Sequence, residues 1–324
     1  MDAMSPRARI FLIVGLWAVV AVLAVVIGVR ETRSNVPTLK PRPGSPPLAL
    51  DLGVRNDPEA RALRNAETLY DRDRQAARAE AIFSRYSSLE AQVGAAIATW
   101  PSGTVGRLQE LTLRNPRSAL VAFHLGLALY WARRDDEAVQ AWREAEKLDP
   151  DSLYAVRASD FLHPSFAPGL PIFVPTFAPS RRISALPPSA ELDALARAAR
   201  TGNAHAKILY GVALQRINRP RSAERQFAAA AREAPNDPEA RAAAAVGRFD
   251  KANPSAAFSR LGPLVRVFPH AQTVRFHLGL LLLWIGQVKQ ARKELQLARR
   301  ENPASILGKQ AQAYLNVLEK AGTG

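Results

Sequence analysis

The chain opens with polar and basic residues and then runs apolar without a break from Ile10 to Val29, IFLIVGLWAVVAVLAVVIGV. Twenty helical residues at ~1.5 Å each span ~30 Å, the thickness of a bilayer core. Arg7 and Arg9 precede the run, and Arg30 and Arg33 follow it. The run exceeds the usual h-region of a cleaved signal, about 7–15 residues, and no small-x-small cleavage site follows it. An uncleaved transmembrane helix over 10–29 is therefore expected, behind a short basic N-terminus at 1–9. Residues 30–56 carry Pro37, Pro41, Pro43, Pro46 and Pro47. Fixed φ and missing amide donors predict an extended, semi-rigid linker that lifts the rest of the chain off the membrane.

From residue 57 onward the pattern changes to apolar positions three and four apart, the signature of amphipathic helices. The segment Ala119–Ser152, ALVAFHLGLALYWARRDDEAVQAWREAEKLDPDS, predicts a helix pair. Leu125 and Leu129 share one face of its first helix; Ala138, Trp142 and Ala145 share one face of the second. Arg133–Asp136 makes the turn, and Asp135, Asp136 and Glu137 suit the cap and dipole of the second helix. Pro150 then stops the unit, because proline cannot continue a helix.

The same spacing returns. Residues 204–237 carry Tyr210–Gly211, Leu214, Ala223, Phe227, Ala230 and Pro235, and residues 272–305 carry Leu278–Gly279, Leu282, Ala291, Leu295, Ala298 and Pro303. Residues 238–271 fall in phase between them with Ala257, Leu261, Leu264 and Pro269, so three consecutive units start 34 residues apart. Two units are degenerate. In 238–271, Arg248 takes a place expected to be apolar and Gly262–Pro263 interrupts the second helix; in 85–118, a weak first helix breaks at Pro101. Residues 57–86 read as helix, and 306–320 as a terminal capping helix, which stacked arrays need.

This pattern resembles the tetratricopeptide repeat family over roughly residues 85–305. The resemblance implies an all-α fold, a right-handed α-solenoid of helix-turn-helix repeats over 57–324, here preceded by one transmembrane helix. It also implies a concave groove lined by fixed places of each first helix. On this sequence those places are Leu120, Phe123, Leu127, Tyr130 and Trp131; Ile208, Val212 and Gln215; and Phe276, Leu280, Leu283 and Trp284. Such apolar and aromatic residues match binding hot spots; the alternative is that they pack against neighbouring repeats.

One unit, 153–203, is too long. Its first helix reads as LYAVRASDFL (153–162) and its second as SAELDALARAAR (189–200), leaving a proline-rich insertion at 163–188. Seven prolines there forbid helix, yet Phe166, Leu170, Ile172, Phe173, Val174 and Phe177 make it apolar. A free loop should be polar. The insertion is therefore expected to lie along the groove as a built-in ligand or lid, anchored by Phe166, Phe173 and Phe177 against Phe123, Leu127 and Tyr130 on one side or Ile208 and Val212 on the other. The alternative is that it packs on the convex side, or inserts into the membrane surface or a partner.

Charge adds an asymmetry: the net +15 gathers in the C-terminal half, with 23 basic against 10 acidic residues over 181–324. An acidic partner or lipid surface is compatible with this. Arg219, Arg221, Arg225 and Arg299–Arg300 lack interleaved aromatics, which argues against nucleic acid. The absence of cysteine excludes disulfides and thiolate metal sites. No catalytic, phosphate-binding or dinucleotide motif occurs, and no histidine pairs at ligand spacing, so neither an enzyme nor a cofactor or metal is expected. An identical FHLGL at 123–127 and 276–280 sets His124 and His277 at one place in their repeats, which repeat duplication explains; the alternative is a pair of functional sites. The expected function is a membrane-anchored scaffold that holds a protein or peptide in its groove. The rival is an architectural subunit with no separate ligand. The basic N-terminus before a long apolar run favours an extracytoplasmic repeat domain, against the positive-inside count of the flanking arginines.

Overall fold

The computed structural model describes residues 41–322, and residues from Arg42 onward form one compact unit. The apolar run at 10–29 and the first part of the linker lie outside the described residues. Among the described residues no helix is long and apolar enough to cross a membrane.

The described chain is all-helical, built of successive helix pairs. They are α1 (Pro58–Asp71) with α2 (Ala76–Phe83), α3 (Leu89–Ala98) with α4 (Thr104–Arg114), and α5 (Ala119–Trp131) with α6 (Asp135–Leu148). Next comes α7 (Leu153–Leu162), separated by the insertion and the single turn α8 (Arg181–Ser184) from α9 (Pro188–Thr201). Then follow α10 (Ala204–Arg216) with α11 (Pro220–Glu233), α12 (Pro238–Val246) with α13 (Ser255–Val267), α14 (Gln272–Trp284) with α15 (Val288–Glu301), and a closing α16 (Ile306–Gly322). Most first helices start at a side-chain cap: Asp57, Ser88, Ser118, Ser152, Asn203 and Asp237 each accept an amide of the first turn.

Two local devices fix the regular pairs α5/α6, α10/α11 and α14/α15. The first is a close approach. A Cβ at Gly126 would stand 2.5 Å from Trp142, and one at Gly211 would stand 2.4 Å from Phe227. Only glycine lets those axes meet. The second is the turn residue after each of these first helices, which takes a left-handed conformation at Arg133 (φ 63°), Asn218 (φ 57°) and Gly286 (φ 73°). These are one place in three repeats; arginine bears there a strain that glycine does not.

The structure departs from the sequence expectations in four places. The helix expected to break at Gly262–Pro263 runs through as α13, with Leu261 and Leu264 buried around the proline. Gly262 has no Cβ to meet the proline ring, which relieves much of the usual clash. Arg248 does not occupy a core place: α12 ends early, the apolar position passes to buried Phe249, and Arg248 reaches Glu224 at 3.7 Å. No side chain caps α6; Glu137 pairs with Arg134 at 2.6 Å, and Asp135 is engaged elsewhere. Lastly, the end of the expected spacer is no free linker. Residues 42–52 pack onto the repeats, with Leu48, Leu50 and Leu52 in the core built by α1–α7.

Candidate peptide grooves

Two stretches of irregular chain lie in extended form along the first helices, one in each half. The first strap, residues 42–52, begins at a clamp. The Arg42 amide donates to the Trp131 carbonyl at 2.7 Å, and its guanidinium forks onto both Asp135 oxygens at 2.7 and 2.9 Å. The same group sits 3.6 Å above the Tyr130 ring and donates to the Tyr130 carbonyl. That arginine holds the Asp135 carboxyl below the ordinary carboxylate range. Beyond it, the apolar residues Leu48, Leu50 and Leu52 alternate inward, while the backbone amides of residues 48–51 go to side chains. Leu48 donates to Asp71 at 3.3 Å, Ala49 to His124 Nε2 at 3.2 Å, Leu50 to Glu67 at 3.0 Å and Asp51 to the Tyr154 hydroxyl at 3.0 Å. The four consecutive amides from Leu48 to Asp51 thus each find an acceptor, which is what a buried strand outside any sheet requires. Burial raises the pKa of both Glu67 and Asp71.

The second strap, residues 166–177, is the apolar part of the insertion. Its root is pinned by Lys251, whose fully buried ammonium meets Asp160 and, at 2.7 Å, the Ala167 carbonyl. Asp160 also accepts the Gly169 amide at 2.8 Å. Further on, Phe173 donates to Gln215 Oε1 at 2.9 Å and Val174 to His277 Nε2 at 2.9 Å, while both the Thr176 amide and hydroxyl bond Glu239. The Phe173 ring is wholly buried and stacks on His277 with centroids 4.2 Å apart; Phe177 stacks on His205 at 4.1 Å. Phe166 is half-buried against the same core.

His124 and His277 therefore do one job in two places. In each, Nδ1 lies against the carbonyl four residues back, Leu120 at 2.8 Å and Thr273 at 2.7 Å. A carbonyl only accepts, so Nδ1 carries the proton and Nε2 presents a lone pair to the strap amide. Burial lowers both imidazoles to about 4, which keeps them neutral acceptors near neutral pH.

The groove residues expected from the repeat pattern divide accordingly. Leu120, Phe123 and Leu127 are buried beside the first strap, with Tyr130 and Trp131 at its arginine clamp. The insertion's phenylalanines do not reach that set; they pack with Ile208 and Val212, and Gln215 bonds the strap directly. Phe276 and Leu283 pack with α16, beside Val174. Leu280 and Trp284 line a pocket of about 720 Å³ that remains open between the second strap (Leu170, Ile172, Val174) and Tyr314 and Val317 of α16. Residues the sequence reading left out are Tyr70, Glu67, Asp71, Tyr154 and Glu239, polar groups on first helices that read backbone. Two signals pointed toward them: the duplicated FHLGL, and the period-two alternation of Leu48, Leu50 and Leu52 in what passed as a spacer. Among the described residues no group of three or more potential ligands is placed to hold a metal ion.

No protein-family profile and no curated protein sequence matches the chain. Solved helical-repeat structures do. YrrB, a TPR protein with an unusual peptide-binding site, is 15% identical with TM-score 0.32, covering 64% of this chain and 97% of its own. The TPR2AB domain of yeast Sti1, in complex with pHSP90, is 11% identical with TM-score 0.31, covering 82% and 98%. The human IFIT1 dimer with PPP-AAAA is 17% identical with TM-score 0.34, covering 81% and 64%. At such scores the likeness carries no argument; the fold reading rests on the helix pairs described above.

Proposed function

We propose that this protein is a non-enzymatic, membrane-tethered helical-repeat scaffold whose first helices hold extended protein segments. One observation carries the reading. In both halves, side-chain acceptors on first helices satisfy the backbone amides of an extended segment with apolar anchors. A surface that does this for its own chain has the chemistry to do it for another. The tether is the apolar run at 10–29, and the repeats are placed outside the cytoplasm. A C-terminal reporter that works only after export should be active; activity of a cytoplasmic reporter alone would reverse the topology.

A second reading is favoured by a specific observation: both grooves already contain chain. On this reading the protein is an architectural subunit that offers only its outer surface. A photo-crosslinking residue at Tyr314, beside the open pocket, separates the two in native membranes. Crosslinks to one defined segment of a partner support the scaffold. Crosslinks from many outward positions, and none from Tyr314, support the architectural role.

A further inference from the structure

The two grooves grip their occupants in register. The Pro46 carbonyl accepts the Tyr70 hydroxyl at 2.8 Å, and the Pro171 carbonyl accepts the Gln215 amide at 3.4 Å. Two residues on, Leu48 and Phe173 bury their side chains and donate to Asp71 and Gln215. One residue further, Ala49 and Val174 donate to His124 and His277. Two further still, Asp51 and Thr176 donate to Tyr154 and Glu239. Pro46 and Pro171 are themselves buried, and the residues after them, Pro47 and Ile172, face solvent in both.

The direction matches too. Each strap starts at the C-terminal ends of first helices (Tyr70 and Trp131; Gln215 and Trp284) and ends at N-terminal ends (Tyr154; His205 and Glu239). In sequence the six-residue cores, PPLALD and PIFVPT, share a leading proline and a large apolar residue two places on, and little else. What they share is what the grooves demand: a carbonyl at the proline, one apolar anchor, and amides at fixed intervals.

The occupants differ in commitment. The first strap is held by three buried leucines, the Arg42 fork, and the 2.5 Å Asp51–Arg219 ion pair. In the second only Phe173 is fully buried among the anchors, Pro175 offers no amide, and the chain before it borders the open 720 Å³ pocket. We propose that the C-terminal groove takes in trans an extended partner segment of the pattern Pro-x-(large apolar), running antiparallel to α10 and α14, in exchange for its own residues 171–176. This rests on the scaffold reading and names the ligand class for it.

The test uses the full chain in detergent with a protease site placed at Ala178–Ser180. The protein folds with its strap in position before it is nicked there. The probe is a fluorescent peptide PGLPIFVPTFA, the sequence of residues 168–178. Nicked protein should bind it at least tenfold more tightly than uncut protein. Replacing the peptide's phenylalanine at the anchor place by alanine, or introducing Gln215→Ala or His277→Ala, should reverse that gain. Nicked protein that keeps its helical circular dichroism but binds no better, or binds every peptide alike, overturns the proposal. A chain with 166–177 replaced by a Gly/Ser bridge is a second form in which the same gain is expected. Crosslinking of a partner at Tyr314 without any peptide binding would leave the scaffold standing and remove this inference alone.

Discussion

The N-terminal and C-terminal grooves use the same histidine, in the same tautomer, to hold chain of different origin. In one the occupant arrives from the segment ahead of the repeats; in the other it loops out of an interrupted repeat. The first buries a leucine at every second residue and closes with a charged fork, whereas the second has one fully buried apolar anchor, Phe173, stacked on His277. Distributed anchoring makes a strap part of the fold. Concentrated anchoring leaves it separable from the helices that hold it.

The sharpest way to break that contrast is to remove single anchors. Phe173→Ala should cost about 3–5 kcal/mol and Leu50→Ala about 2–4 kcal/mol. The distinguishing readout is hydrogen exchange. Val174 and Thr176 should lose amide protection in the first variant, whereas Ala49 and Asp51 should keep theirs in the second. Equal loss in both straps would end the distinction.

Acid should then act on both halves together. Each groove histidine has a folded pKa of about 4, below its ordinary value of 6.5. Between those values the unfolded chain binds the extra protons, so stability present above pH ~6.5 is lost as pH falls toward ~4. The size is of the order of 3 kcal/mol per histidine. Facing groups act oppositely: burial raises Glu67 and Asp71 by the first strap and Glu239 by the second, so their protonation opposes the loss at the acid end. Chemical denaturation from pH 7 to 4 should show the fall, and a His124→Gln, His277→Gln variant should flatten it.

Smaller effects come from the turns. Arg133→Gly should stabilise by about 1 kcal/mol and Gly286→Ala should destabilise by about the same, since both places need positive φ. Thermal melts would show opposite shifts. The smallest effect is expected from Arg42→Ala, at about 0.5–1 kcal/mol, because a partly exposed ion pair is screened. It should speed exchange of the Arg42 amide without touching the second strap.

The repeats were legible because their cause is local. Gly126 under Trp142, Gly211 under Phe227 and the prolines that end four of the units, Pro150, Pro235, Pro269 and Pro303, are short-range necessities that recur with the period. The grooves were half legible. Aromatic and leucine places on first helices stood out, as did the misplaced hydrophobicity of the insertion. Which helices would receive Phe173 was not written locally, since Gln215, Glu239 and His277 belong to three different repeats. The first strap was missed for another reason. Five prolines read as a spacer, yet their stiffness also lowers the entropy lost on docking, and PPLALDL uses it that way. His124 and His277 looked like a copy of an ancestor; their shared hydrogen-bond pattern gives the copy a use.

The Arg42 clamp has a mechanical consequence. Among the described residues it is the first bound to the repeats, and the strap behind it lies lengthwise along the helices it contacts. Tension applied to the chain ahead of Arg42 therefore reaches the fork to Asp135 first. Only then can it pass to the amide bonds at Leu48, Ala49, Leu50 and Asp51, which it meets as a row loaded in shear. Such a row yields together, so the strap should act as a grip with a force threshold. The second strap, rooted at both ends within the repeats, would feel none of that load.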